Sequence, residues 1–179
     1  MTWLLPCLIG TGVTVLVLMF FYKRFGFEDL AMVYAAAIAF VPMIAAISGN
    51  AGLQTSAVVV CGLATGHLAA LKLSQVFMRE VRIAIIVALS CGIIGGIACA
   101  ILLDSGTLAG TVEPLRIIFA FGTAMFSAIM VATTLGLFLP FLFRRVGIDP
   151  VISSGPLVTT ANDSISVAIY MTLTLLLAV

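Results

Sequence analysis

Charged side chains are scarce in this sequence. Of 179 residues only 8% are Asp, Glu, Lys or Arg, and 63% are hydrophobic. Soluble domains carry about 25% charged residues, so this composition argues against a soluble domain and for an integral membrane protein. The net charge of +1 offers no basic footprint for nucleic acid, and no nucleic-acid partner is expected. The single histidine, His67, lies in a polar boundary stretch and reads as an ordinary interfacial residue. Cys7, Cys61, Cys91 and Cys99 fall in apolar runs with no C-x-x-C pair. They read as small buried hydrophobes, and zinc-type coordination finds no ligand set. The P-loop pattern is missing. The first apolar run has no basic lead and no small-residue cleavage site, so it reads as a retained transmembrane helix and not a signal peptide.

The apolar runs are continuous and about 20 residues long, which predicts an all-α membrane protein and not a barrel. Five segments are expected: Trp3 to Tyr22, Leu30 to Leu63, Ile83 to Leu103, Leu115 to Phe143 and Val151 to Val179. They form one transmembrane domain over residues 1–179. Between the second and third, Gly66 to Arg82 is amphipathic and reads as an interfacial helix or loop. Ala88, Gly92, Gly96 and Ala100 recur at intervals of four, a stripe that lets helix backbones approach closely. The hydroxyls of Ser127, Thr133 and Thr134 in the fourth segment are expected to bond back to their own helix. Five spans place the termini on opposite sides. With the N-terminus inside, inner loops carry Lys72, Arg79, Arg82, Arg144 and Arg145 and outer ones Lys23, Arg24 and Arg116, which favours that orientation.

Two stretches break the apolar pattern. In the second segment Ser48, Gly49, Asn50, Gly52, Gln54, Thr55 and Ser56 follow one another closely, with Pro42 upstream. In the fifth, Ser153-Ser154-Gly155-Pro156 leads to Thr159, Thr160, Asn162, Asp163 and Ser164. Helices two and five are thus both polar-interrupted, a pairing that points to a binding site at their junction. If the first stretch stays helical, Asn50 and Gln54 share a face. Asp163 is the only acid in its segment. Twelve residues from Val151, at ~1.5 Å each, put it roughly 18 Å into a ~30 Å core. A charge there costs about 2.5–3.5 kcal/mol, which makes Asp163 a candidate functional residue by default. Pro156, Thr159, Asp163, Ser166 and Tyr170 make a polar stripe at helical spacing.

Oxygen donors around one carboxylate suit a hard cation such as Mg²⁺ or Ca²⁺. Mg²⁺ keeps its waters and meets only one or two carboxylates. A symmetric dimer would bring two Asp163 residues to a shared axis, and a divalent ion between them would remove their repulsion. The blander readings are a protonated structural Asp163 and helix-to-helix hydrogen bonding by Asn50 and Gln54.

The stretches Pro42 to Gln54 and Ser154 to Asp163 resemble the membrane domain of the MgtE family of magnesium channels and transporters. Arg79-Glu80 and Gly147-Ile148-Asp149-Pro150 also fit that family's pattern. The resemblance implies a homodimer in the cell (inner) membrane, N-terminus cytoplasmic and C-terminus outside, with a pore between the second and fifth helices of both subunits. It implies that Asp163 binds hydrated Mg²⁺, aided by Thr159 and the Asn50 region. Ser48, Gly49, Gly52, Gln54, Gly155, Pro156, Thr160 and Asn162 would line the ion pathway. Mg²⁺ is then the transported ion, with Co²⁺, Ni²⁺ or Mn²⁺ as further passengers and no cofactor. The family's cytoplasmic N-terminal and CBS domains have no counterpart in these residues. Passive divalent-cation transport is the leading expectation. A Na⁺- or H⁺-coupled exchanger and a non-transporting scaffold subunit are the alternatives. An enzyme is not expected, because no nucleophile–base pair is in evidence.

Overall fold

A segment in lipid must satisfy its own backbone hydrogen bonds, and each apolar run here does so as a helix. The computed structural model describes residues 4–25, 31–66, 73–104 and 114–178. Five helices follow in order: α1 (Leu4–Phe25), α2 (Ala31–Ala64), α3 (Leu73–Asp104), α4 (Pro114–Val146) and α5 (Pro150–Ala178). All five are long and apolar enough to cross a membrane. The 34 residues of α2 measure about 51 Å at ~1.5 Å each, more than a ~30 Å hydrocarbon core, so α2 tilts or protrudes.

The polar stretches interrupt the apolar pattern but not the backbone: α2 and α5 stay helical through them. Polar side chains bond locally instead, as where Ser48 Oγ donates to the Ile44 carbonyl at 2.7 Å. The expected interfacial element before the third segment is also different. Residues 73–82 are the first turns of α3, while His67 and Lys72 lie outside the described residues. Arg79 and Arg82 are exposed, and Glu80, only 7% exposed, packs beside Thr133, Thr134 and Leu137 of α4.

Helix α4 is the hub. It packs on α2, α3 and α5, and α2 packs on α5, whereas α3 leans mainly on α4 and α1 mainly on α5. Contacts between Gly92 and Gly122 and between Phe77 and Phe138 make α3 and α4 antiparallel. The small-residue stripe is the packing surface expected of it: a Cβ on Gly92 would lie 3.0 Å from the Gly122 carbonyl, and one on Gly96 3.0 Å from that of Ile118. Thr123, Ser127 and Thr134 donate to carbonyls of their own helix. The centre holds Ile44, Met125, Ile129, Val167 and Met171. There Phe121 meets Phe40 and Tyr170 edge-on, with centroids 5.7 and 5.9 Å apart. Of the cysteines Cys99 is buried, Cys7 and Cys91 are half-buried, and Cys61 is exposed at the end of α2.

The α4–α5 reversal explains Gly147-Ile148-Asp149-Pro150. Gly147 has φ +79°, a left-handed conformation that glycine adopts at little cost. Its N–H donates to Arg144 and that of Ile148 to Phe143, which closes α4 with a Schellman motif. Asp149 Oδ1 accepts from the Val151 N–H at 2.9 Å, and Pro150 opens α5, an N-cap followed by proline at the first helical position.

Candidate functional site: an intramembrane carboxylate in the α2–α5 cleft

Helices α2 and α5 are antiparallel. Tyr170 donates from its hydroxyl to the Ala37 carbonyl at 3.0 Å, and one end of their contact is fixed there. Seven or more residues further along, Asn162 Nδ2 donates to Ser48 Oγ at 3.0 Å and Ser166 Oγ donates to Asn162 Oδ1 at 2.7 Å. Ser48, Asn162 and Ser166 are all 0% exposed. Buried polar atoms in lipid need partners, and Ser48, Asn162 and Ser166 supply them to one another.

The polar stripe of α5 therefore divides. Ser166 and Tyr170 turn into the protein, while Thr159 and Asp163 open onto a cleft. Its cavity measures about 230 Å³ and is lined by Ala45, Ala46, Gly49, Asn50 and Leu53 of α2 with Thr159 and Asp163 of α5. The absence of a side chain at Gly49 leaves room in front of the acid: a Cβ there would stand 3.8 Å from Asp163 Oδ1 and 3.7 Å from Asn162 Nδ2. Asp163 is half-buried and Asn50 exposed. Thr159 Oγ1 donates to the Gly155 carbonyl at 3.2 Å.

Of the residues singled out in the sequence, Asp163, Thr159, Asn50 and Gly49 meet at this cleft. Ser48 and Asn162 lie directly behind it in the buried network. Gly52 sits elsewhere, at the α2–α4 crossing, where a Cβ would lie 3.0 Å from the Ala132 carbonyl. Gln54 is exposed and does not line the cleft. Gly155 has open space around it. Thr160 faces α1, against Gly10. Pro156 is part of α5, and its side chain is outside the described residues. Sequence reasoning missed Ala45, Ala46 and Leu53, whose only signal is their helical spacing from Gly49 and Asn50. Among the described residues no three His, Cys, Asp or Glu side chains cluster as a metal cage. One carboxylate with amide and hydroxyl oxygens is a donor set for a hard ion that retains its own water.

Five helices, each long and apolar enough to cross a membrane, define a multi-pass membrane protein, with one acid facing a cleft between α2 and α5. Residues 41–173 match the family model MgtE, described as a divalent cation transporter, and the chain belongs to that family. It is 31% identical over 144 residues to a magnesium transporter MgtE of Bacillus subtilis, covering 80% of this chain and 30% of that protein. Against the magnesium transporter MgtE of Thermus thermophilus it is 30% identical over 152 residues, covering 85% and 32%. The Enterococcus faecalis magnesium transporter MgtE is 31% identical over 144 residues, covering 80% and 30%. The chain thus spans about a third of the length of each of these relatives.

Proposed function

We propose that this chain passes Mg²⁺ down its electrochemical gradient across a membrane, with Asp163 as the ion site. The observation that carries the reading is the half-buried Asp163 carboxylate facing the α2–α5 cleft beside Thr159, Gly49 and Asn50. Size supports it. The cleft measures about 230 Å³, many times the ~10–15 Å³ that one water needs. Mg²⁺ sheds water reluctantly, so the ion enters hydrated, and the protein touches it through water. Membership in a divalent cation transporter family and relatives bearing the name magnesium transporter point the same way.

The pore belongs to a homodimer in this reading. A cleft open on one side, with a single acid, is half of a cation path. A two-fold axis facing it would close the path and add a second Asp163. The N-terminus lies on the cytoplasmic side in this reading, in keeping with the basic residues Arg79, Arg82, Arg144 and Arg145 at the helix ends on that side.

The test is Mg²⁺ flux into proteoliposomes containing the purified chain, under imposed Mg²⁺, Na⁺ and pH gradients in turn. Flux that follows the Mg²⁺ gradient and the membrane potential alone supports passive transport. Uphill Mg²⁺ movement driven by a Na⁺ or pH gradient would replace it with coupled exchange.

A further inference from the structure

Helix α1 is only lightly held. Leu4, Leu5, Leu8, Ile9, Leu16 and Phe20 are all at least 65% exposed, so α1 contributes little to the core. Toward its C-terminal end Tyr34 of α2 donates to the Leu18 carbonyl at 3.2 Å. Its main contact is with α5, and its hydroxyl contacts there fall at the level of Asp163. Ser164 Oγ donates to the Gly10 carbonyl at 3.2 Å, and Thr14 Oγ1 lies 2.9 Å from Ser164 Oγ. A chain of donors satisfies both: Thr14 to Ser164, Ser164 to Gly10. One turn earlier Gly10 has no room for a Cβ, because the Thr160 methyl occupies that space. The pairs 10/160 and 14/164 make the two helices parallel.

Successive residues on a helix are about 100° apart. Asn162 is held by Ser48 of α2 on one side of Asp163, and Ser164 is held by α1 on the other. The carboxylate therefore projects from the gap between two hydrogen-bonded braces on different helices. With side chains an α-helix is roughly 5–6 Å in radius, so turning α5 by about 20° carries the acid head about 2 Å sideways. A displacement of that size is most of a water diameter and changes how a hydrated ion meets the carboxylate.

We propose that α1 is a positioning element: Gly10, Thr14 and Ser164, with Thr160 packed in register, set the rotation of α5 and so aim Asp163 at the cleft. This rests on the reading of Asp163 as the ion site. None of the four residues lines the cleft itself.

The test is the Mg²⁺ concentration dependence of proteoliposome flux for wild type, Gly10→Ala, Ser164→Ala, the double variant Gly10→Ala/Thr160→Ser, and Asp163→Asn. Loss of folded protein lowers the maximal rate and leaves the half-saturating Mg²⁺ concentration where it was. A misaimed carboxylate raises that concentration. The expected rise is roughly 2- to 30-fold for Gly10→Ala and Ser164→Ala, the range of changes made away from a ligand. In the double variant the Thr160 methyl is gone, and the value returns to near wild type. An unchanged half-saturating concentration in both single variants, or no recovery in the double variant, overturns the proposal. Should Gly10→Ala not fold, Ser164→Ala introduces no clash and decides the matter. A silent Asp163→Asn beside unaffected Gly10 and Ser164 variants refutes only the role of α1. An Asp163→Asn protein that transports like wild type removes the ion site and the role of α1 together.

Discussion

Gly136→Ala should separate α2 from α4 at their closest crossing. A Cβ at Gly136 would collide with the Gly52 carbonyl oxygen and stand 3.0 and 3.2 Å from the Gly52 C and Cα atoms. Ordinary contact for a Cβ begins at 3.4 Å, so the backbone of α2 must retreat by at least several tenths of an ångström. The obstructing atoms are all backbone, and no rotamer change relieves them. Overpacking of this kind costs about 1–3 kcal/mol, and two backbones in contact belong at the upper end. At ~2–4 °C per kcal/mol for a chain of this size the loss in Tm is roughly 2–12 °C. Gly12→Ala is the matched control, because nothing lies within 4 Å of its Cβ position. There alanine gains up to ~1 kcal/mol from helix propensity and should not lower Tm. The assay is thermal unfolding of both purified variants in one detergent. Equal melting of Gly136→Ala and wild type would refute the close crossing, as would an equal loss in Gly12→Ala.

Gly49→Ala makes the opposite pattern. Its methyl meets Asn162 and Asp163 at 3.7 and 3.8 Å, ordinary contact distances, so Tm should hold or rise. The same methyl stands before the carboxylate where a water of the ion would sit. The half-saturating Mg²⁺ concentration for flux should rise roughly 2- to 10-fold, the equivalent of about 0.5–1.5 kcal/mol for one hydrogen bond. Tyr170→Phe removes the 3.0 Å bond to the Ala37 carbonyl on the inward side of α5. Interhelical bonds in membranes average about 0.6 kcal/mol and reach ~1.7, so a small drop in Tm with normal ion affinity is the outcome to look for in melting and flux curves.

The five spans were legible because apolar length alone decides them, and the stripe from Ala88 to Ala100 was legible because close helix approach demands small side chains. The meeting of Asp163, Thr159, Gly49 and Asn50 was legible as a junction of two polar stretches. The fifth stretch was legible as a helix, because Asp163 and its polar neighbours fall at helical spacing, but whether the second stayed helical was not. Polarity in a lipid-embedded run suggests a broken backbone, but Ser48 and Thr159 bond to their own helices, and Ser48, Asn162 and Ser166 satisfy one another. Neither did spacing alone separate Gly52 and Thr160 from the cleft residues. A small or hydroxylated position serves a helix crossing as well as an ion path, and only the neighbour that fills the space, α4 for Gly52 and α1 for Thr160, tells the two apart. The amphipathic start of α3 read as an interfacial element because Arg79, Glu80 and Arg82 stand close together. In the fold the two arginines are exposed and Glu80 is buried beside Thr133, Thr134 and Leu137 of α4.

The most direct test of the ion site is Mg²⁺ flux through proteoliposomes carrying Asp163→Asn beside wild type, with thermal unfolding of both proteins measured in parallel. Asparagine keeps the shape and removes the charge at the cleft. Unchanged Tm with flux reduced to the protein-free background is the expected result. Wild-type flux through a folded Asp163→Asn protein would contradict the assignment of Asp163 to the path of the ion.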